Sequence, residues 1–510
     1  MENSTPILVG CGEVTDRTTP FEAARSPFDL IAETARLALA DTGAANLTKA
    51  IDTVAMLRLF SDSSHRFATR LGTSTNPPRS IANRLGIAAR RYLYTHSGGN
   101  MPQFLVNTFA EAIARKEMRA AIIVGGEALR TQRALERAGA NVSWSEDPGG
   151  QPELIGDPRR AWSDAEDRHN LRAAITMYPL VENAIRGSRG RSIADHLRSM
   201  GRLFARFSEV AAGNPLAVRR EVYSAERLAT VDAQNRWIGF PYPLLMNSSA
   251  FNDQAAALIM TSVGEARRLG IPETNWVYLH GCADGNDGWH VSERADLHRS
   301  AAIRLGARKA LDMAGKQWAD IRFFDLYSCF PAAVEIGCQE IGLAEDDPRG
   351  LTITGGLPFF GGPGNNYVTH SIAEMMRRLR GSRASFGLVT ANGNYVTKHS
   401  FGVYSTTPIA GPWRRESPSE LQRELDRLPK APLVERASGP ATVETYTVMH
   451  GKCGPEYSVL FGRLKESGAR FIANTRPDPH VLADFEERDS LGRPGTVSHH
   501  EGRNLFVPQH

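Results

Sequence analysis

The sequence predicts an α/β protein made of two successive series of alternating strands and helices, with a small β domain appended. Three observations predict it. Short apolar runs of strand length, such as Ala120-Ala-Ile-Ile-Val-Gly-Gly126, alternate with segments of helical period, the pattern of βαβ units around a parallel sheet. The order of elements in the first series recurs in the second, and only the first is interrupted by a loop-rich excursion. That points to an internal duplication. Beyond Lys430 the period becomes twofold, as in Ala441-Thr-Val-Glu-Thr-Tyr-Thr-Val448.

The first series opens with the apolar run Ile7–Gly10 and the helix-periodic segment Phe28–Asp41. Thr53–Phe60 and Arg91–His96 read as strands. The second of these runs through Ser97-Gly-Gly-Asn-Met-Pro102 into a helix with Phe104, Leu105, Phe109, Ile113 and Ala114 on one face. From about Gln132 to Pro243 the pattern changes, and Ser192–Phe207 is its clearest helix. An insertion of this length inside an α/β unit suggests a function. Its arginines, Arg186, Arg189, Arg191, Arg198, Arg202 and Arg206, form either a solvated helix face or a surface for a phosphate-bearing ligand. Ala255–Met260 resumes the strand pattern. The second series comprises the strand Trp276–Gly281, the helix Ala301–Ala314, the strands Ile321–Leu326 and Leu351–Gly356, the helix Val368–Leu379, and the strands Ser385–Thr390 and Phe401–Ser405. The expected units are residues 1–131 with 244–270, the insertion 132–243, residues 271–412, a linker 413–430, and a β domain over 431–510.

A chain of 510 residues predicts two to four units at about 150 residues each. A net charge of +4 over this length predicts no nucleic-acid partner. The five cysteines are scattered without a Cys-x-x-Cys pair, which argues against a disulfide framework and a cysteine zinc site. The N-terminus has no basic and apolar leader pattern, and no stretch approaches the roughly 20 apolar residues of a membrane span. The expected compartment is the cytoplasm, with no membrane partner.

The chain is organised around Asp325-Leu-Tyr-Ser-Cys-Phe-Pro331. This stretch ends an apolar strand and opens a helix, with Pro331 suited to the first helical position. Cys329 therefore lies just before a helix N-terminus, where the dipole favours a thiolate. It is either a nucleophile, a pocket-lining thiol or a buried core cysteine.

Four loops in order resemble those of the thiolase superfamily over roughly residues 5–410. Thiolase loops read Cys-x-Ser, Asn-Glu-Ala-Phe (or His-Asp-Cys-Phe), Gly-His-Pro and Cys-x-Gly. The corresponding stretches are Thr95-His-Ser-Gly98, Tyr327-Ser-Cys-Phe330, Gly361-Gly-Pro363 and Ala391-Asn-Gly393. Thr95 stands at the acyl-accepting cysteine, Gly362 at the activating histidine and Ala391 at the second acid/base cysteine. Tyr178-Pro-Leu-Val-Glu-Asn183, Gly355–Tyr367 and Thr397–Ser405 further resemble thiolase-like proteins of type 1, which carry an additional C-terminal domain and are often described as acetyl-CoA acetyltransferases.

The resemblance implies a duplicated αβαβα sandwich with a small β-barrel or OB-like C-terminal domain. It implies CoA or an acyl-CoA as substrate or ligand, no tightly bound cofactor, and a monomer or homodimer. The chemistry it implies is acyl transfer with C–C bond formation or cleavage on CoA thioesters. The alternatives are binding of CoA or acyl-CoA without turnover, and retro-aldol cleavage with Tyr327 as acid/base. In the transfer reading Cys329 carries or contacts the acyl group and His399 is its base. Gly98, Gly99 and Asn392 polarise oxygens. Thr95 is either a nucleophile or a turn residue, and Ser97 either a site hydroxyl or the N-cap of the next helix. Asn365 and Asn366 either shape turns or bond a thioester carbonyl. His370, on the side of its helix opposite the apolar stripe, reads as a surface or interface histidine, with assistance to Cys329 as its other role. Arg198 and Arg202 are the expected phosphate contacts.

Overall fold

The computed structural model describes residues 2–20 and 23–509. Its main sheet has ten strands in the order β10-β11-β12-β9-β1-β8-β4-β2-β3-β5. In chain order these are β1 (Pro6–Asp16), β2 (Thr53–Met56), β3 (Arg91–Thr95), β4 (Ala120–Ala128) and β5 (Glu153–Ile155), then β8 (Asp253–Ser262), β9 (Val277–Asn286), β10 (Ile321–Asp325), β11 (Phe386–Gly393) and β12 (Lys398–Ser405). Two short strands of the excursion, β6 (Trp237–Gly239) and β7 (Tyr242–Pro243), lie outside it.

The duplication is visible in the strand order. In the first half the last strand, β8, lies antiparallel between β1 and β4, with parallel β2 and β3 beyond. In the second half the last strand, β12, lies antiparallel between β9 and β11, with parallel β10 beyond. The halves join through a short pairing of β1 with β9 at Ile7–Tyr278 and Leu8–Val277.

The second half has no counterpart of β3. The expected strand at Leu351–Gly356 does not form. The backbone N–H groups of Ile353 and Thr354 donate to the Asp325 carboxylate (3.0 and 3.2 Å) instead of to a neighbouring strand. A buried carboxylate thus satisfies backbone donors that a ladder would otherwise take.

Two helices, Met101–Ala114 and Tyr367–Gly381, pack against strands of both half-sheets and against each other. Pro27–Asp41 covers β1, β8 and β4 from outside, and Ala301–Ala314 covers β9 and β12. The result is five layers, αβαβα. The alanines and aliphatics of β4 and β8 are almost wholly buried, as expected of strands covered on both faces.

The C-terminal sheet runs β15-β14-β13-β16-β17, from β13 (Gly439–His450), β14 (Pro455–Leu464), β15 (Arg470–Ala473), β16 (Pro494–His500) and β17 (Arg503–Pro508). Asn474, just after β15, exchanges backbone hydrogen bonds with Asn504 and Phe506 on β17, which curls the sheet towards a small barrel. The excursion strand β6 pairs with β13. Two arginines tie this domain to the rest of the chain. Arg470 on β15 bonds Glu444 and the Ser292 carbonyl (3.0 Å). Arg186 of the excursion forks onto Asp489 (2.9 and 2.8 Å). Arg186 is therefore neither solvated nor free for phosphate, and Arg189 is held by Glu345 (2.7 Å).

Candidate active site

The parallel strands carry their loops to one end of the sandwich, where ligands of open α/β sheets bind. β3 delivers Thr95 to Gly99, β10 delivers Tyr327 to Phe330, and β11 delivers Ala391 to Gly393. The Gly361–Asn366 turn lies between them.

A closed ring of hydrogen bonds joins the first and third loops. The Arg58 N–H donates to Thr95 Oγ1 (2.9 Å), the Asn365 amide donates to the Arg58 carbonyl (2.8 Å), and the Gly98 N–H donates to Asn365 Oδ1 (2.8 Å). Asn366 bridges the Gly125 carbonyl (2.7 Å) and Thr369 Oγ1 (2.6 Å). Both ends of each asparagine amide are thus occupied by protein, so these residues shape the loops and do not face a carbonyl. Thr95 serves the same scaffold, which fits the turn-residue reading of its two. The helix after the loop is capped at Asn100, not Ser97. The Ser97 carbonyl instead accepts a hydrogen bond from the Lys398 ammonium.

Lys398 is the residue that the sequence reading missed. It begins β12, is buried, and points towards the inner helix layer. A methyl group on Gly98 would collide with its Nζ. Burial lowers its pKa to about 8, with Asp157 opposing and Arg159 adding to that fall. His399, the expected base, is the next residue on the strand and faces the other side. It lies 3.6 Å from Asp287 Oδ2 and stacks on Phe401, whose ring meets Gly306 of the outer Ala301–Ala314 helix. Lys398, not His399, therefore faces the first loop. The strand expected from Phe401 left Lys398 and His399 outside it, without a face assignment.

Tyr327 sets its hydroxyl against the first loop, where a methyl on Gly99 would collide with it and with the Asn392 carbonyl. Burial, then the Cys329 charge, holds its phenol well above the usual range. Cys329 precedes the N-cap of the Pro331–Ile341 helix, as expected, but burial outweighs the dipole and pushes its thiol up to about 12. Its neighbour is Tyr178, from the excursion helix Ala174–Ser188. Tyr178 stacks on Phe330 (4.5 Å between centroids) and accepts a hydrogen bond from the Asn392 amide (2.8 Å). The excursion thus fills the space beside the thiol. Asn392 Oδ1 is buried without a partner.

His370 is fully buried, not at the surface. Its Nδ1 meets Glu13 of β1 (2.5 Å), and Arg377 bonds the same carboxylate. Its helix is the inner layer, so both of its sides are covered. Gly362 leaves no room for the thiolase histidine, because a methyl there would meet Ser248 Oγ.

A groove of about 950 Å³ runs between the Ile193–Gly213 helix and the edge of the second half. Leu203, Phe207 and Ile353 supply apolar wall, and Arg206 and Arg322 are among its cations. Phe207 backs onto Gly356, which in turn lies against Ser328 Oγ of the second loop. Arg198 and Arg202 do not line it. Both are exposed, and Arg198 pairs with Asp195 (2.5 Å). Among the described residues one cluster has metal-ligand spacing, Glu182, His196 and Glu335. No described helix is long and apolar enough to cross a membrane.

Two similar halves stacked in five layers, four convergent loops at one end and an excursion after the fourth strand define a thiolase-fold protein. The fold matches the dimeric peroxisomal thiolase of Saccharomyces cerevisiae with a TM-score of 0.56 at 12% identity, over 79% of this chain and 98% of that one. It matches the Ltp2-ChsH2(DUF35) aldolase with a TM-score of 0.58 at 19% identity, also over 79% and 98%. Agreement with a monomeric SCP2-thiolase like protein type 1 from Mycobacterium smegmatis is far closer, with 38% identity, a TM-score of 0.84, and coverage of 99% of this chain and all of that one. Residues 420–502 match the thiolase-like protein type 1 additional C-terminal domain. The chain belongs to the SCP2-thiolase-like protein type 1 family. Curated protein sequences give no match.

Proposed function

We propose that this chain binds an acyl-CoA thioester without passing the acyl group through a cysteine. One observation carries the reading. The three thiolase positions hold Thr95, Gly362 and Ala391, and the remaining loop thiol, Cys329, is buried beside Tyr178 and kept protonated. An acyl-enzyme needs a thiolate or a base to generate one. His399 faces the other side of β12 and cannot serve. Acetyl-CoA acetyltransferase chemistry in its usual form is therefore not the activity assigned.

The 950 Å³ groove suits the ligand class. Its apolar wall fits a pantetheine arm and acyl chain, and two of its arginines make no carboxylate contact among the described residues. Arg206 bonds the Asp347 carbonyl (3.1 Å), and Arg322 bonds Ser382 Oγ (2.7 Å). These, not Arg198 and Arg202, are the phosphate contacts. The chain is a monomer, as its Mycobacterium smegmatis relative is described to be.

Calorimetry with acetyl-CoA and longer acyl-CoAs, run beside intact-mass measurement, tests this. Binding with no adduct and no CoA release is expected. Replacing Arg206 and Arg322 by alanine removes charge-assisted contacts worth about 1.5–3 kcal/mol each, so affinity falls by about tenfold or more per residue. A covalent adduct on Cys329, or affinity indifferent to both arginines, defeats the proposal.

A second reading has its own observation. The Lys398 amine and the Tyr327 hydroxyl both abut the Gly98–Gly99 backbone. An acid/base pair there supports cleavage of a β-hydroxyacyl thioester without a covalent intermediate. Release of a free aldehyde or ketone from such a thioester, abolished by Tyr327→Phe, would establish it.

A further inference from the structure

Glu182, His196 and Glu335 come from three different helices, Ala174–Ser188, Ile193–Gly213 and Pro331–Ile341. All three side chains are fully buried, and their ligand atoms lie within 4.8 Å of one another. His196 Nε2 is 2.6 Å from Glu182 Oε1, and the Tyr242 hydroxyl donates to Glu182 Oε2 (2.5 Å). Neither oxygen of Glu335 has a hydrogen-bond donor. Its nearest cation, Arg189, stands 3.5 Å away and spends its hydrogen bond on Glu345. An unpaired carboxylate at full burial costs several kcal/mol unless a proton or a cation joins it.

We propose that Glu182, His196 and Glu335 bind one divalent first-row cation of the Zn²⁺ or Mn²⁺ class. An imidazole and two carboxylates are a donor set for such ions. Metal–ligand distances of about 2.0–2.2 Å place neighbouring donors roughly 3 to 3.5 Å apart, so the present separations need only side-chain adjustment. Tyr242 then holds the free oxygen of a ligating carboxylate, the usual outer support of a metal site. No opening to the loops is required, because the role is structural. Glu182 lies one turn beyond Tyr178, and Glu335 lies one turn into the helix that follows Cys329. The ion pins the excursion to the second loop and keeps Tyr178 against the thiol. The competing arrangement is a proton on Glu335 donated to Glu182.

Full-length, tag-free protein dialysed against metal-free buffer, then incubated with Zn²⁺ or Mn²⁺ and desalted, is analysed by mass spectrometry for metals. One retained ion per chain is expected, and its identity decides between the two. Glu335→Gln, of equal volume, loses the ion. Chelation lowers the melting temperature of the wild type but not of that variant. A folded wild-type chain that retains neither ion overturns the proposal, as does an ion retained by Glu335→Gln. Should the variant fail to fold, X-ray absorption of the loaded wild type decides. One imidazole with oxygen donors supports the site, and thiolate or all-oxygen ligation refutes it.

Discussion

Asp325 and Glu335 are buried carboxylates on either side of the same loop, and the fold treats them in opposite ways. Asp325 ends β10 and accepts from Ser371 Oγ (2.8 Å), the Tyr367 hydroxyl (3.1 Å), Thr352 Oγ1 (3.1 Å) and two backbone N–H groups. Glu335, ten residues on, accepts no hydrogen bond. Burial raises the pKa of both, but donors oppose the rise at Asp325, whereas the Glu182 charge adds to it at Glu335. The contrast separates a buried carboxylate satisfied by donors from one left open. A carboxylate with every lone pair used is a scaffold part. One with none used is left to be satisfied by a proton or an ion.

The largest effect that tests this contrast falls on Asp325. Asp325→Ala strands the Ile353 and Thr354 N–H groups, at about 1–3 kcal/mol each, so urea unfolding should show a loss of about 3–5 kcal/mol. Glu335→Gln in metal-free protein removes no accepted hydrogen bond and should cost less than about 1 kcal/mol. Equal losses at the two positions would erase the distinction.

Lys398 extends the rule to a cation. Its ammonium donates to the Ser97 carbonyl and lies over the Trp289 ring, and its pKa falls from 10.5 to about 8 on folding. The unfolded chain therefore binds more protons between pH 8 and 10.5, and stability rises with pH across that window. Below pH 8 the whole penalty, roughly 3 kcal/mol, is present. Lys398→Met removes it together with a hydrogen bond of about 1 kcal/mol. The variant should be more stable than wild type by about 2 kcal/mol near neutral pH, with the difference closing as pH approaches 10.5. A pH-independent difference would show that the amine is solvated and is no candidate base.

Much of the scaffold was legible in the sequence because it is local. The strand that ends at Asp325, the helix that starts at Pro331 and the recurring strand–helix order all follow from short-range pattern. The site was legible as four loops but not as chemistry. Which of Lys398 and His399 faces the loops depends on where β12 begins, and the apolar run suggested Phe401, whereas pairing with Asn286 and Gly285 starts the strand at Lys398. His370 looked exposed because its partner, Glu13, lies on β1. Leu351–Gly356 looked like a strand because nothing local reveals that Asp325 takes its amides. Tyr178 and Glu182 sit in the recognisable Tyr178–Asn183 stretch, yet their partners, Cys329 and Glu335, come from the other half of the chain.

The smallest effect isolates the plug itself. Tyr178→Phe keeps the stacked ring and removes only the oxygen that accepts from Asn392, so a loss of about 1 kcal/mol is expected. Thiol reactivity gives the sharper readout. Cys453 is exposed, whereas Cys11, Cys282, Cys329 and Cys338 are buried. A native chain treated with a disulfide reagent should therefore react at Cys453 and leave Cys329 intact. Tyr178→Ala empties the space beside Cys329, and a second thiol should then react while the protein remains folded. Peptide mapping of the labelled cysteine is the check. If Cys329 already reacts at a comparable rate in the wild type, it is an available nucleophile, and the separation of this chain from acyl-enzyme chemistry fails with it.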